Sequence, residues 1–208
     1  MDFTKAYYTR DEVVTHNTPL NIWVIIHGFV YDLTSFVQKQ NKNLNDDVKF
    51  YKNLRLLLQY AGKDLSCWFN DQGEPLERIN QHGKSVFRFL PAYRKENEDC
   101  CFWWNKKNII GKITSLERYV RIVNTLTRKT VRLSVCEEDS IETIMQKYKE
   151  TFNSNSENYI VRKTLLHSAD DGQLFIQKTL TENRITYEKN EKLGLPAALW
   201  LFYILNKD

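Results

Sequence analysis

Residues 22–36, Ile-Trp-Val-Ile-Ile-His-Gly-Phe-Val-Tyr-Asp-Leu-Thr-Ser-Phe, restrict the fold more than any other stretch of the chain. Trp23 to Ile26 is β-branched and aromatic, which suits a pleated, buried strand. His27-Gly28 makes the turn, because Gly takes up the positive φ that a tight hairpin needs. Phe29 to Asp32 returns as the second strand, and Asp32 or Thr34 can cap a turn that leads into helix. Two strands followed at once by a helix point to an α+β domain.

With 208 residues, the chain is long enough for one large or two small domains, and its 42% apolar content can supply a packed core throughout. The net charge is +4, with acids and bases interspersed and no block of Lys or Arg, so the composition argues against a nucleic-acid partner. Four Cys without a Cys-x-x-C pair, and without a signal peptide, point to reduced thiols in the cytoplasm. The vicinal Cys100-Cys101 is hard to bridge without strain. No apolar run approaches the roughly 20 residues of a membrane span, so no membrane association is expected. The longest run, Leu195 to Leu205, is interrupted by Pro196 and suits a buried strand.

Taken in order, Tyr7-Tyr8 should form a short strand. Thr9 with Glu12 is a capping box opening a helix from Arg10 to His16. Val37 to Asn43 is polar and reads as a loop. Asp47 should cap a helix whose face is Tyr51, Leu54, Leu58 and Ala61, with Gly62 closing it. Asp64 should cap a short helix carrying Trp68-Phe69, and residues 86–93 read as a strand ending at Pro91. Lys95 to Asp99 reads as linker, and Trp103-Trp104 as a staple between two domains or an anchor for a partner. From Tyr119 a new pattern begins: alternation through Val120 and Ile122, a turn over 124–129, and alternation back through Val131, Leu133 and Val135. Asp139, with Glu142 three residues on, should cap a helix with the stripe Ile141, Ile144, Met145, Tyr148 and Phe152. A strand at Tyr159–Arg162, a turn at Asp170-Asp171-Gly172 and a central strand over 199–205 complete the order.

The first half resembles a cytochrome b5-like domain, whose opening reads Trp-Val-x-x-x-Gly-x-Val-Tyr-Asp-[Leu/Val]-Thr-x-Phe. Trp23, Val24, Gly28, Val30, Tyr31, Asp32, Leu33, Thr34 and Phe36 match it, as do Ala61-Gly62 and Asp64. The resemblance implies haem between two axial His, with the Trp68-Phe69 segment as one wall of the crevice. Gln40 stands where the first His should be, and Glu74 where a usual domain has the second. An amide is a poor iron donor beside imidazole. His82, in Asn80-Gln81-His82-Gly83-Lys84, is the candidate cofactor-binding residue, a possible haem axial ligand. His16, His27 and His167 have no geometric case. Without His82 the domain has no cofactor.

The second half has the order hairpin, helix, strand, turn, last strand and resembles ubiquitin. The resemblance rests on residues 125–131, on Asp139 to Glu142 and on Thr179 to Ile185. The combination resembles the cytochrome b5 domain-containing protein 1 family, over nearly the whole chain. It implies an α+β protein with an N-terminal b5-like domain (1–92), a Trp-Trp linker (93–115) and a C-terminal ubiquitin-like β-grasp domain (116–208). It further implies a place on the axoneme of motile cilia, a cytoskeletal setting near the radial spokes. The partners would be axonemal proteins on the spokes or doublet microtubules, with an effect on ciliary beating. Two roles compete. One is an axonemal structural and interaction protein with a degenerate b5-like domain and no enzyme activity. The other is a haem-binding redox sensor or electron-transfer module, which would need His82 and a partner such as Tyr51.

Overall fold

The computed structural model describes residues 6–42, 54–89, 102–154, 158–165 and 172–204. The chain divides into two compact units, Met1–Ile113 and Thr114–Asp208.

The first unit is built on the sheet order β1-β7-β4-β3-β2. Its strands are β1 (Tyr7–Tyr8), β2 (Asn17–Thr18), β3 (Asn21–Ile26), β4 (Phe29–Asp32) and β7 (Ile109–Ile113). A separate hairpin pairs β5 (Glu77–Ile79) with β6 (Ser85–Phe87). Helix α1 (Arg10–Thr15) carries the capping box: the Glu12 N–H donates to Thr9 Oγ1 and the Thr9 N–H to Glu12 Oε2. The hairpin β3–β4 forms as its sequence dictates. His27 and Gly28 have φ of 48° and 77° at the turn. The Thr34 N–H donates to Asp32 Oδ1 at 2.8 Å, opening α2 (Thr34–Lys42). Residues 37–42, expected as loop, therefore begin as helix.

Period-two alternation gives this sheet two buried faces. Ile22, Val24, Ile26, Tyr31 and Leu33 pack with Val37 of α2 and with Leu54 and Leu57 of the helical segment 54–58 (α3). Ile25 and Val30 face the other way, onto Val13 of α1, with Tyr8 and Trp23 beside them. Residues 62–65 dock on β3: the Gly62 N–H donates to the Trp23 carbonyl, and the Leu65 N–H to the Ile25 carbonyl, both at 2.7 Å. The expected helix start at Asp47 and Tyr51 lies outside the described residues. His167, Asp170-Asp171 and all of 93–101, Cys100-Cys101 included, do so as well.

Residues 102–113, expected within a linker, belong instead to the first unit. β7 pairs parallel with β1 and antiparallel with β4. Trp103 is 1% exposed in the same core as Trp68 and Phe69, so its burial is met inside the first unit.

The second unit has β8 (Glu117–Asn124), β9 (Thr130–Cys136), α4 (Ile141–Thr151), β10 (Tyr159–Arg162) and β11 (Ala198–Tyr203). The sheet order is β10-β11-β8-β9, with β11 and β8 parallel at the centre and both other pairings antiparallel. Val120, Ile122, Val135, Leu199 and Leu201 face α4 through Ile141, Ile144 and Tyr148. Ser140 caps α4, accepting from the Thr143 N–H, in place of Asp139. The Asp139 carboxylate is held by the Cys136 N–H and Lys147, both at 2.9 Å. Phe152, expected on the apolar stripe, is 49% exposed.

Candidate functional site

The helix-covered face of the first unit's sheet is where the b5 resemblance would put a cofactor. Its floor is aromatic. Trp68 meets Tyr60 edge-on at 4.6 Å and Trp103 at 6.4 Å between ring centroids, and Trp103 also meets Phe69 at 6.1 Å. Trp104 packs edge-on against Trp103 and Phe87, at 5.4 and 6.0 Å. Burial pushes the Tyr31 hydroxyl's pKa up, so it stays a neutral phenol.

The wall expected as a helix is a single 3-10 turn, Ser66–Trp68. Asp64 organises it: Oδ1 accepts from the Ser66 N–H and hydroxyl at 3.0 and 2.5 Å, and Oδ2 pairs with Arg10 at 2.9 Å. Burial by itself would raise this carboxyl's pKa, but those hydrogen bonds outweigh it and hold the pKa below its ordinary value.

Beyond Phe69 come two loops of one design, Asn70-Asp71-Gln72-Gly73-Glu74 and Asn80-Gln81-His82-Gly83-Lys84. In each, the Asn carboxamide oxygen accepts the N–H groups two and four residues on, at 2.8 to 3.0 Å. In each, the Asn N–H donates to the fifth residue's carbonyl, and the Gly, at positive φ, donates back to the Asn carbonyl. The repeated Asn-x-x-Gly, ten residues apart, was the sequence signal for this pair, and a motif search for ligands passes over it.

These loops decide the ligand question. Glu74 is exposed, and its carboxylate accepts from Asn70 Nδ2 at 3.2 Å. His82 is exposed at the tip of its loop. His16 lies on the other face of the sheet, stacked on Trp23 at 3.5 Å with its Nδ1 on the Glu12 carbonyl at 2.8 Å. His27 is exposed in the hairpin turn. Gln40 lies on α2, where only the backbone is described, and Tyr51 lies outside the described residues. Among the described residues no two imidazoles face one another across the aromatic floor, so the described donors do not fit an axially ligated haem. No group of three metal-binding side chains occurs among the described residues either. Nor is any described helix long and apolar enough to cross a membrane.

The second unit holds a buried ionic centre that sequence reasoning missed. Arg118 is 0% exposed and Glu191 3%. Arg118 donates through Nη2 to Glu191 at 2.8 Å, and through Nη1 to Glu137, Thr181 and the Ile185 carbonyl at 3.1 to 3.2 Å. Every charge there is met by a partner, so the centre fastens residues 181–191 to the sheet and leaves no group spare for chemistry.

The family model described as "Cytochrome b5-like Heme/Steroid binding domain" matches residues 9–113. The human protein "Cytochrome b5 domain-containing protein 1" is 30% identical over 203 residues, covering 91% of this chain and 82% of that one. Its mouse counterpart is 29% identical over 223 residues, covering 97% and 91%. "Cytochrome b5" of Drosophila melanogaster is 35% identical over 66 residues, 32% of this chain and 42% of that one.

Proposed function

The chain belongs to the cytochrome b5-like heme/steroid binding family, beside the cytochrome b5 domain-containing protein 1 relatives, and on that premise we propose that it is an axonemal interaction protein of motile cilia. In this reading its b5-like unit is kept for shape, and the protein catalyses nothing itself. The observation that carries the non-redox half is the pair of Asn-x-x-Gly loops, which fix Glu74 and His82 in exposed turns where a b5 haem would need an inward imidazole. The ciliary placement rests on the family resemblance, which runs over about nine tenths of the chain. The second unit is read as a ubiquitin-like β-grasp, supported by its hairpin, helix and parallel first and last strands at the sheet centre. Such folds serve as binding modules on many unrelated proteins.

A haem-binding redox module is the second reading, favoured by the description of the matching family model. It requires His82 to turn inward and an opposing ligand such as Tyr51. Absorption spectroscopy of the purified chain with haem, with and without dithionite, separates the two. A spectrum like that of free haem is expected. A sharp Soret band with split reduced bands, lost in His82→Ala, would put the redox reading first. For the ciliary half, the tagged chain should stay with demembranated axonemes from motile-ciliated cells. Complete release with the detergent-soluble fraction would remove that placement.

A further inference from the structure

The face of the second unit's sheet turned away from α4 sets two like charges side by side. The residues facing away from the α4 core include Arg121 on β8, Arg132 on β9, Ile160 on β10, and Trp200 and Phe202 on β11. Arg121 and Arg132 stand directly opposite each other in the β8–β9 register. Opposed residues on one face of such a pair bring their Cβ atoms to about 5 Å, where like charges destabilise the sheet. Neither guanidinium forms an ion pair with a described residue. Arg121 donates through Nε to the Pro196 carbonyl at 2.9 Å. Arg132 donates to the Glu191 carbonyl and lies 4.9 Å from the Tyr119 ring. The nearby carboxylate on this face, Glu117, accepts from the Tyr119 and Ser134 hydroxyls. A guanidinium has five N–H donors, so each Arg keeps donors to spare.

Beside the pair the face is mixed: Arg162 opposes Trp200 and lies 5.7 Å from the Phe202 ring, and Lys192 lies 5.8 Å from the Tyr119 ring. Ala198 opposes Arg121, Trp200 follows two residues on, and Phe202 opposes Ile160, which is 45% exposed. We propose that this face docks an acidic segment of a partner protein. One carboxylate is received between Arg121 and Arg132, and an apolar side chain of the same segment rests on Trp200. A carboxylate there converts the Arg–Arg repulsion into two charge-assisted contacts. Arg and Trp are the residue types that concentrate binding energy at interfaces. A second copy of the chain is disfavoured, since it would bring the Arg pair against itself. A nucleic acid would bring its phosphates against Glu117 beside the pair, and the oligothymidylate titration below separates it from an acidic segment. The proposal rests on the interaction reading above and narrows it to one surface.

The test titrates the full chain with a random copolymer of Glu and Tyr by calorimetry. Binding should weaken as salt rises. It should fall about tenfold or more in a variant carrying Arg121→Gln and Arg132→Gln, the loss of two charge-assisted contacts. The melting point of that variant is read beside the parent's, because the double substitution removes the repulsion and also the hydrogen bonds to the Pro196 and Glu191 carbonyls. If it does not fold, Arg132→Lys serves instead: the charge stays and the planar fork is lost, so weaker binding at an unchanged melting point supports the proposal. Unchanged binding in a folded variant would overturn it. So would tighter binding of oligothymidylate than of the copolymer, or a dimer in sedimentation that the double substitution dissociates. If the copolymer fails while the chain still stays with axonemes, this face falls and the interaction reading stands. If the copolymer binds but the chain leaves the axonemes, the ciliary placement falls and the face stands.

Discussion

A carboxylate 3% exposed keeps its charge only if something holds it, and Arg118 does so for Glu191. Burial alone would raise the Glu191 pKa. The hydrogen bond from Arg118 and those from the Tyr119 and Glu188 N–H groups outweigh it, so the folded-state pKa lies below the unfolded one. A lowered carboxyl stabilises the fold above its unfolded pKa and loses that contribution as pH falls through the folded value. Melting curves taken downward from neutral pH should therefore show the second unit weakening below about pH 4, the ordinary Glu range. Glu191→Ala should cost about 3–5 kcal/mol at neutral pH, because Arg118 is left buried without its main partner. It should also flatten this unit's acid dependence. A variant that melts like the parent at neutral pH would show the pair to be dispensable.

Among the elements, β7 shows how local rules can hide a strand. Ile109-Ile110-Gly111-Lys112-Ile113 does not alternate, because a strand inside a sheet covered on both faces need not. Its Gly reads as a breaker, yet a Cβ there would sit 2.4 Å from the Ala6 carbonyl oxygen and 2.7 Å from the Tyr8 ring. Gly is what lets β1 lie against β7. Gly111→Ala should cost about 1–3 kcal/mol of overpacking strain. It should also speed hydrogen exchange at the Lys112 amide, which donates to Ala6 at 3.0 Å. Exchange at the parent rate would mean the contact relaxes without loss. The β3–β4 hairpin was legible for the opposite reason: composition, turn and alternation all agree there. Ser140 and Asp139 can both cap, and only the contacts of Asp139 with Cys136 and Lys147 decide between them. At the candidate site the sequence names the His residues. The exposure of His82 follows from the N–H bonds of His82 and Lys84 to the Asn80 carboxamide, to which the repeated Asn-x-x-Gly is the one sequence clue.

At the scale of the molecule, each unit closes its own core. Trp103→Ala should cost about 3–5 kcal/mol, the usual toll of deleting a buried aromatic, and should lower the first unit's calorimetric transition. The second unit's transition should stay in place. A joint shift of both would show that the halves melt as one. The pairing of Tyr7 with Lys112 also sets a timetable for synthesis. β7 lies between β1 and β4, so a nascent chain of 92 residues has its hairpin but no middle to its sheet. Until residue 113 leaves the ribosome, β4 presents a bare strand edge, and the closing contact is among the most distant in the unit. Translation speed through residues 93–113 thus fixes how long a chaperone has that edge to hold.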